Sequence, residues 1–133
     1  MDKQFLFELI TPSQKIVSNN FNMVVVPGEE GDFGVLQNHI NLISALRPGF
    51  LQTFTNNKID KEYFVYKGFA EVTEDKLIVL SDTAFEKNTF NLKNEKENLL
   101  KFEKQRDKST DEKEKKFFEE KINKINLIIK MLT

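Results

Sequence analysis

The sequence predicts an all-β sandwich of about ten strands followed by a C-terminal antiparallel two-helix hairpin. Three observations predict it. Short runs of β-branched and aromatic residues alternate with turn signals from Phe5 to Phe85. From Asn91 the hydrophobic period becomes that of a helix. The charge balance shifts at the same place: residues 1–90 carry 8 basic and 12 acidic side chains, net −4, and residues 91–133 carry 12 and 9, net +3, which together give the chain's −1. A boundary therefore falls near Phe90, with a β domain over residues 1–87 and a helical hairpin over residues 88–133.

Phe5–Ile10 is apolar on both faces except at Glu8, which predicts a strand with one face in a core and the other partly covered. Thr11-Pro12-Ser13 ends it, because proline lacks the amide proton that a strand ladder needs. Lys15–Ser18 is predicted as a short strand and Asn19-Asn20 as a turn. Phe21–Val26 is again apolar on both faces. The stretch from Met23 to Gly49 then organises the rest. It holds a buried strand, an acidic turn with glycines at 28, 31 and 34, a second strand, a polar loop around His39, a third strand and a Pro-Gly turn. The carboxylates of Glu29, Glu30 and Asp32 are costly to bury, so the acidic turn projects into water or towards a basic partner. Arg47-Pro48-Gly49 suits a type II turn with positive φ at the glycine. Phe50–Thr55 and Glu62–Tyr66 flank a hairpin tip at Asn56-Asn57-Lys58, since asparagine tolerates the left-handed region. Phe69–Thr73 and Lys76–Ser81 form a second hairpin around Glu74-Asp75.

In the C-terminal part, Leu92, Leu99, Leu100 and Phe102 give a patchy apolar stripe to a first helix over 91–107. Ser109 or Thr110 is the expected cap of a second helix, with Glu112 closing a capping box on Ser109. That helix runs to about Leu132. Its seam is Phe118, Ile122, Ile125, Ile129 and Leu132, spaced alternately four and three apart, and Phe117, Ile128 and Met131 widen it. The short connection predicts an antiparallel hairpin with a lysine-rich outer face.

Catalytic chemistry finds no support in the residues. Cysteine is absent, so thiolate nucleophiles and cysteine metal sites are excluded, and His39 is the only histidine. His39 in a loop reads as a contact residue. The glycines lack the spacing of a dinucleotide fold or a P-loop, and Ser44 and Ser81 sit in no nucleophile elbow. No catalytic residue, metal site or cofactor is expected. The hairpin lysines are interleaved with nearly as many acids, which marks a solvated face rather than a nucleic-acid surface. No run has the length of a transmembrane helix, and the N-terminus resembles neither a signal peptide nor a presequence. One feature points to partners. Phe21–Val26 and Leu77–Leu80 are apolar on both sides, whereas a single sandwich buries one face of each sheet. The hairpin or another protein is expected to cover the second face.

The ordered set Ser13-Gln14, Ser18, Val24-Val25-Val26-Pro27-Gly28, Glu30-Gly31-Asp32-Phe33-Gly34-Val35-Leu36, His39, Leu42, Leu46, Arg47-Pro48-Gly49, Gly68-Phe69, Glu71-Val72 and Leu80-Ser81-Asp82-Thr83-Ala84 resembles the epsilon subunit of the bacterial F-type ATP synthase. The block from the acidic turn to His39 is its most specific part. The resemblance implies a ten-stranded sandwich and a helical hairpin, in a non-catalytic rotor subunit of the central stalk that couples proton transport to ATP synthesis. It implies a sandwich that binds the gamma subunit and stands on the ring of c subunits, with Glu30, Asp32 and His39 as ring contacts. The hairpin, carrying the seam above, would reach the catalytic head transiently and inhibit ATP hydrolysis. The implied place is peripheral, on the cytoplasmic side of the bacterial inner membrane, with neither nucleic acid nor direct membrane insertion. Two departures stand out. The chain has Asn38-His39-Ile40-Asn41-Leu42 where the family reads Gly-His-Ala-Pro-Leu. At the opening of the first helix it has Phe90-Asn91-Leu92-Lys93-Asn94-Glu95, without the aspartate, arginine and alanine of nucleotide-binding members, so regulatory ATP binding is not implied. From another class, the alternative reading is a free-standing scaffold or nucleic-acid-binding adaptor.

Overall fold

A computed structural model of the chain describes residues 3–133. Eight strands form the N-terminal part: β1 (Phe5–Ile10), β2 (Lys15–Phe21), β3 (Met23–Gly28), β4 (Gly31–Val35), β5 (Leu42–Ala45), β6 (Gly49–Thr55), β7 (Lys58–Val72) and β8 (Lys76–Glu86). They pair in the order β2-β1-β8-β7-β6-β3-β4, with β5 also on β7. All pairings are antiparallel except β1 with β8.

The expectation of about ten strands is corrected to eight, and the reason is physical. β7 is 15 residues long and β8 is 11, and both run through a bend from one layer of the sandwich into the other. The first half of β7 pairs with β6 and with the end of β8; its second half pairs with β5 and with the start of β8. Cutting each at the bend would give ten segments, five to a layer. The bend sits at Lys67 and Gly68, whose φ values are 52° and 139°. There the register passes from Tyr66↔Thr83 to Gly68↔Ser81. A Cβ on Gly68 would lie 1.9 Å from the Leu80 carbonyl oxygen, so only glycine fits. The broken ladder is repaired by a side chain. Ser81 Oγ accepts the Tyr66 N–H at 3.1 Å, and its own proton goes to the Tyr66 carbonyl at 3.0 Å or that of Thr83 at 2.8 Å.

Inward-facing residues alternate along each strand, as a pleated sheet requires. Phe5, Phe7 and Leu9, Val24 and Val26, Tyr63 and Val65, Ala70 and Val72, and Leu77 and Val79 make one continuous core. The outer faces differ from one another. Phe64 is fully buried between Phe50 and Phe85, with ring centroids 5.8 and 5.4 Å away, whereas Phe69 and Leu80, paired across β7 and β8, are 58% and 51% exposed.

Turns follow their residues in part. Asn56 and Asn57 both have positive φ, 53° and 66°, in a two-residue tip closed by Thr55↔Lys58, the twist that a tight hairpin needs. Asn19 and Asn20 form no turn; they continue β2 opposite Phe7 and Leu6. The chain turns at Asn22 instead, whose side chain donates to the Lys3 carbonyl and accepts the Asn56 N–H. Gly49 opens β6 without positive φ, so no type II turn forms; a Cβ there would press on the Pro27 ring at 3.0 Å. Packing rather than dihedral freedom accounts for that glycine.

The chain divides into two compact units, one ending at Thr89 and the other beginning at Phe90. The second holds helices α1 (Leu92–Lys108) and α2 (Glu112–Leu132). Asn91 caps α1, accepting the Asn94 N–H. The expected Ser109 capping box is replaced: Asp111 caps α2 by accepting the Lys113 N–H. Ser109 instead closes α1, its hydroxyl lying 2.8 Å from the Gln105 carbonyl and 3.0 Å from Glu114 Oε1. Phe102 of α1 stacks on Phe118 of α2 at 6.2 Å, and Lys121 lies over both Phe102 and Phe117. Ile122, Ile125 and Ile128 are buried, while Phe118, Ile129 and Leu132 are half-buried.

Two measurements test the β domain. Gly68→Ala forces a Cβ into the Leu80 carbonyl in a region that side chains rarely adopt, so it should cost several kcal/mol, on the order of 3 or more, read as a lowered urea midpoint. Glu8 is the second. Its side chain, only 11% exposed, lies between Lys15 at 2.7 Å, Ser18 at 3.0 Å and Lys76 at 3.2 Å. These partners, Lys15 first, hold its pKa at about 2 against an ordinary 4.5. A depressed carboxylate stabilises the fold fully above 4.5 and loses that contribution as pH falls towards 2. Between pH 4.5 and 2 the wild-type midpoint should therefore fall more steeply than that of Glu8→Gln.

Candidate functional site: the acidic turn and the histidine loop

The acidic turn is built by β3 and β4. Their register runs Val24↔Val35 to Gly28↔Gly31, so Glu29 and Glu30 form a two-residue tip. Gly31 has φ 137°. At Gly28 a Cβ would meet the Phe33 ring at 2.8 Å and the Gly31 carbonyl oxygen at 2.9 Å. Both glycines are therefore required, one for conformation and one for space. Glu29, Glu30 and Asp32 are exposed.

The base of the turn is fastened to the segment after β5. The Glu29 N–H donates to the Ala45 carbonyl at 2.8 Å, the Arg47 N–H to the Pro27 carbonyl at 3.0 Å, and Gly28 and Leu46 form a bridge. From that segment the Arg47 guanidinium reaches back. Nη1 donates to the Gly28 carbonyl at 2.6 Å and Nη2 to the Asp32 carboxylate. Asp32 is thus paired within the chain, whereas Glu29 and Glu30 make no ion pair among the described residues. Sequence reading missed Arg47, which lies 15 residues from Asp32; an arginine closing the next strand connection was the available signal.

A shallow cleft separates the turn from β5, lined by Glu29, Glu30, Asp32, Phe33, Leu42 and Ile43 among others. His39 is not part of its lining. It lies in the loop before β5, half-buried, with Nδ1 2.8 Å from the Ile40 carbonyl. That carbonyl can only accept, so Nδ1 is the donor in this contact. The loop is tied at both sides: the Asn38 N–H donates to the Glu74 carbonyl at 3.0 Å and Gln37 Nε2 to the Gln4 carbonyl at 3.2 Å. Asn38 has φ 62°. An asparagine therefore supplies the left-handed conformation that a glycine adopts freely.

A second surface lies at the bend, where Ile10, Pro12, Phe69 and Leu80 line an apolar groove beside Asp82. Among the described residues no group of three or more His, Asp, Glu or Cys side chains is placed to hold a metal ion, and no helix is long and apolar enough to cross a membrane.

Residues 4–87 match the family model described as the ATP synthase delta/epsilon chain, beta-sandwich domain. The ATP synthase epsilon chain of Rhodospirillum rubrum is 48% identical over 80 residues, 60% of each chain. That of Paramagnetospirillum magneticum is 43% identical over 84 residues, 63% of each. The aligned part spans less than two thirds of these relatives' length. Among solved structures, a chain of the Euglena gracilis mitochondrial ATP synthase, OSCP/F1/c-ring, resembles this one with TM-score 0.62 and 21% identity, over 87% of this chain and 73% of that one. A chain of the Tetrahymena thermophila mitochondrial ATP synthase central stalk/c-ring gives 0.53 and 13%, over 66% and 70%; both likenesses concern the fold. With its whole sandwich inside the family model, the chain belongs to the ATP synthase delta/epsilon chain family.

Proposed function

We propose that the chain is the non-catalytic epsilon subunit in the central stalk of a bacterial F-type ATP synthase, helping to couple proton transport through the c ring to ATP synthesis in the catalytic head. The observation that carries this reading is the acidic turn, held in a fixed shape at the end of a sandwich that belongs to the family. In this reading the turn and the histidine loop are the foot on the c ring, with Glu30, Asp32 and His39 its residues. A turn that exposes neighbouring carboxylates suits the basic groups of a partner's polar loops. The gamma subunit takes the apolar groove of Ile10, Phe69 and Leu80, which a lone chain would leave wet. The subunit is then peripheral, held by its partners on the cytoplasmic side of the inner membrane.

Residues 88–133 serve in this reading as a regulatory hairpin. α1 has no buried residue, and α2 has three. A helix pair with so narrow a core is readily shifted between packings by a partner that prefers one of them. Its seam residues Phe118, Ile122, Ile125, Ile129 and Leu132 are the surface that would be exchanged.

Pull-down from detergent-solubilised membranes should recover gamma and c subunits with this chain. Recovery of nucleic acid instead, lost as salt is raised, would favour an adaptor. Glu30→Lys should weaken association with the c ring about fivefold or less at low salt, the scale of one exposed ion pair, without lowering the unfolding midpoint. Truncation after Phe90 should leave the sandwich bound to gamma and raise the ATPase rate of the assembled enzyme; an unchanged rate would make the hairpin merely structural.

A further inference from the structure

The acidic turn places three carboxylates within four residues, Glu29, Glu30 and Asp32. Like charges so close repel one another, and a two-residue tip between glycines has little stiffness of its own. Something must hold its shape. The cation that does so is Arg47, and its position suits the task. Its backbone is already fixed against the turn's base through its N–H to Pro27, and the neighbouring Ala45 carbonyl accepts from Glu29. From this fixed point the planar guanidinium spans the two limbs of the turn, bonding the Gly28 carbonyl on β3 and the Asp32 carboxylate on β4. A lysine has one point of charge and cannot reproduce the two-pronged geometry.

We propose that Arg47 is a positioning residue: by bridging Gly28 and Asp32 it holds the acidic turn in the shape in which Glu29 and Glu30 carry the outward charge. Asp32 then acts through Arg47 and not as a direct contact. The inference rests on the reading of the turn as the c-ring foot for its functional consequence, though not for the clamp itself. Both side chains are partly solvated, at 41% and 58% exposure, so the pair contributes geometry more than strength.

Two readouts separate the possibilities. The first is amide hydrogen exchange by NMR on the full chain, followed at Glu29, whose N–H bonds Ala45 at 2.8 Å. Arg47→Gln and Asp32→Asn should each speed exchange at Glu29 while leaving core amides such as Val65 unchanged. The second is titration of the chain, with its gamma subunit, onto detergent-solubilised c ring at low salt. Each single variant should lower affinity about two- to fivefold, the range of a half-exposed pair. The double variant should lose no more than either single one, since both remove the same clamp. Arg47→Lys should fall between wild type and Arg47→Gln.

If Asp32 touched the ring directly, Arg47→Gln would free its charge. Affinity would then hold or rise while Asp32→Asn still lost it, and the proposal would be overturned. Unchanged exchange at Glu29 in Arg47→Gln overturns it equally. Glu30→Gln serves as the control for the underlying reading. If exchange responds as expected but Glu30→Gln binds the ring like wild type, the clamp stands and the assignment of the turn to the ring falls.

Discussion

The sandwich depends on a single close approach of backbone to backbone. At Gly68 the α-carbon lies so near the Leu80 carbonyl that no side chain has room, and this contact lets β7 and β8 pass between layers without separating. Around it several parts of the chain converge. Ser81 mends the ladder on one side, and on the other the Leu46 N–H donates to the Gly68 carbonyl at 2.9 Å. Leu46 in turn bridges Gly28. The bend is therefore connected, within a few bonds, to the base of the acidic turn. Two strands that bend together keep both layers in one hydrogen-bonded sheet.

The acidic turn and its surroundings are assembled from pieces that the chain visits at different times. β3 and β4 supply the tip, the connection after β5 supplies the arginine, and the loop before β5 supplies the histidine. Each piece is tied by backbone hydrogen bonds to its surroundings, such as the Asn38 N–H to the carbonyl of Glu74 in the β7–β8 turn. Charge presented on such a frame stays put at small entropic cost, which is what an electrostatic contact needs in order to specify a register with a partner.

Local chemistry made much of this legible. Asn56-Asn57 announces a tight hairpin because two adjacent residues that tolerate positive φ have few other uses, and the change of period at Asn91 announces the helices. Most of the misses share a cause, since they depend on contacts distant in sequence. The bend in β7 is specified by Leu80, twelve residues beyond Gly68, so Glu62–Tyr66 and Phe69–Thr73 read as separate strands. Asn19-Asn20 looks like a turn, yet pairing with Phe7 and Leu6 holds it extended. Gly49 looks dihedral and proves steric, through Pro27. Ser109 and Asp111 compete for one cap, and which helix each serves depends on how two helices meet at a corner. The acidic turn was visible as an exposed feature; the pairing of Asp32 with Arg47 was not, because nothing local connects them.

That corner has a mechanical consequence. Only Ser109, Thr110 and Asp111 lie between α1 and α2, so nearly all freedom of the second helix relative to the first resides in a few dihedral angles. α2 is 21 residues long, about 31 Å at the rise of an α-helix. Unfolding the corner from antiparallel to collinear would carry the far end of α2 through roughly 60 Å, twice that length. The connection thus has the geometry of a short pivot with a long lever arm, and a change confined to three residues would be converted into a displacement wider than the sandwich strands are long.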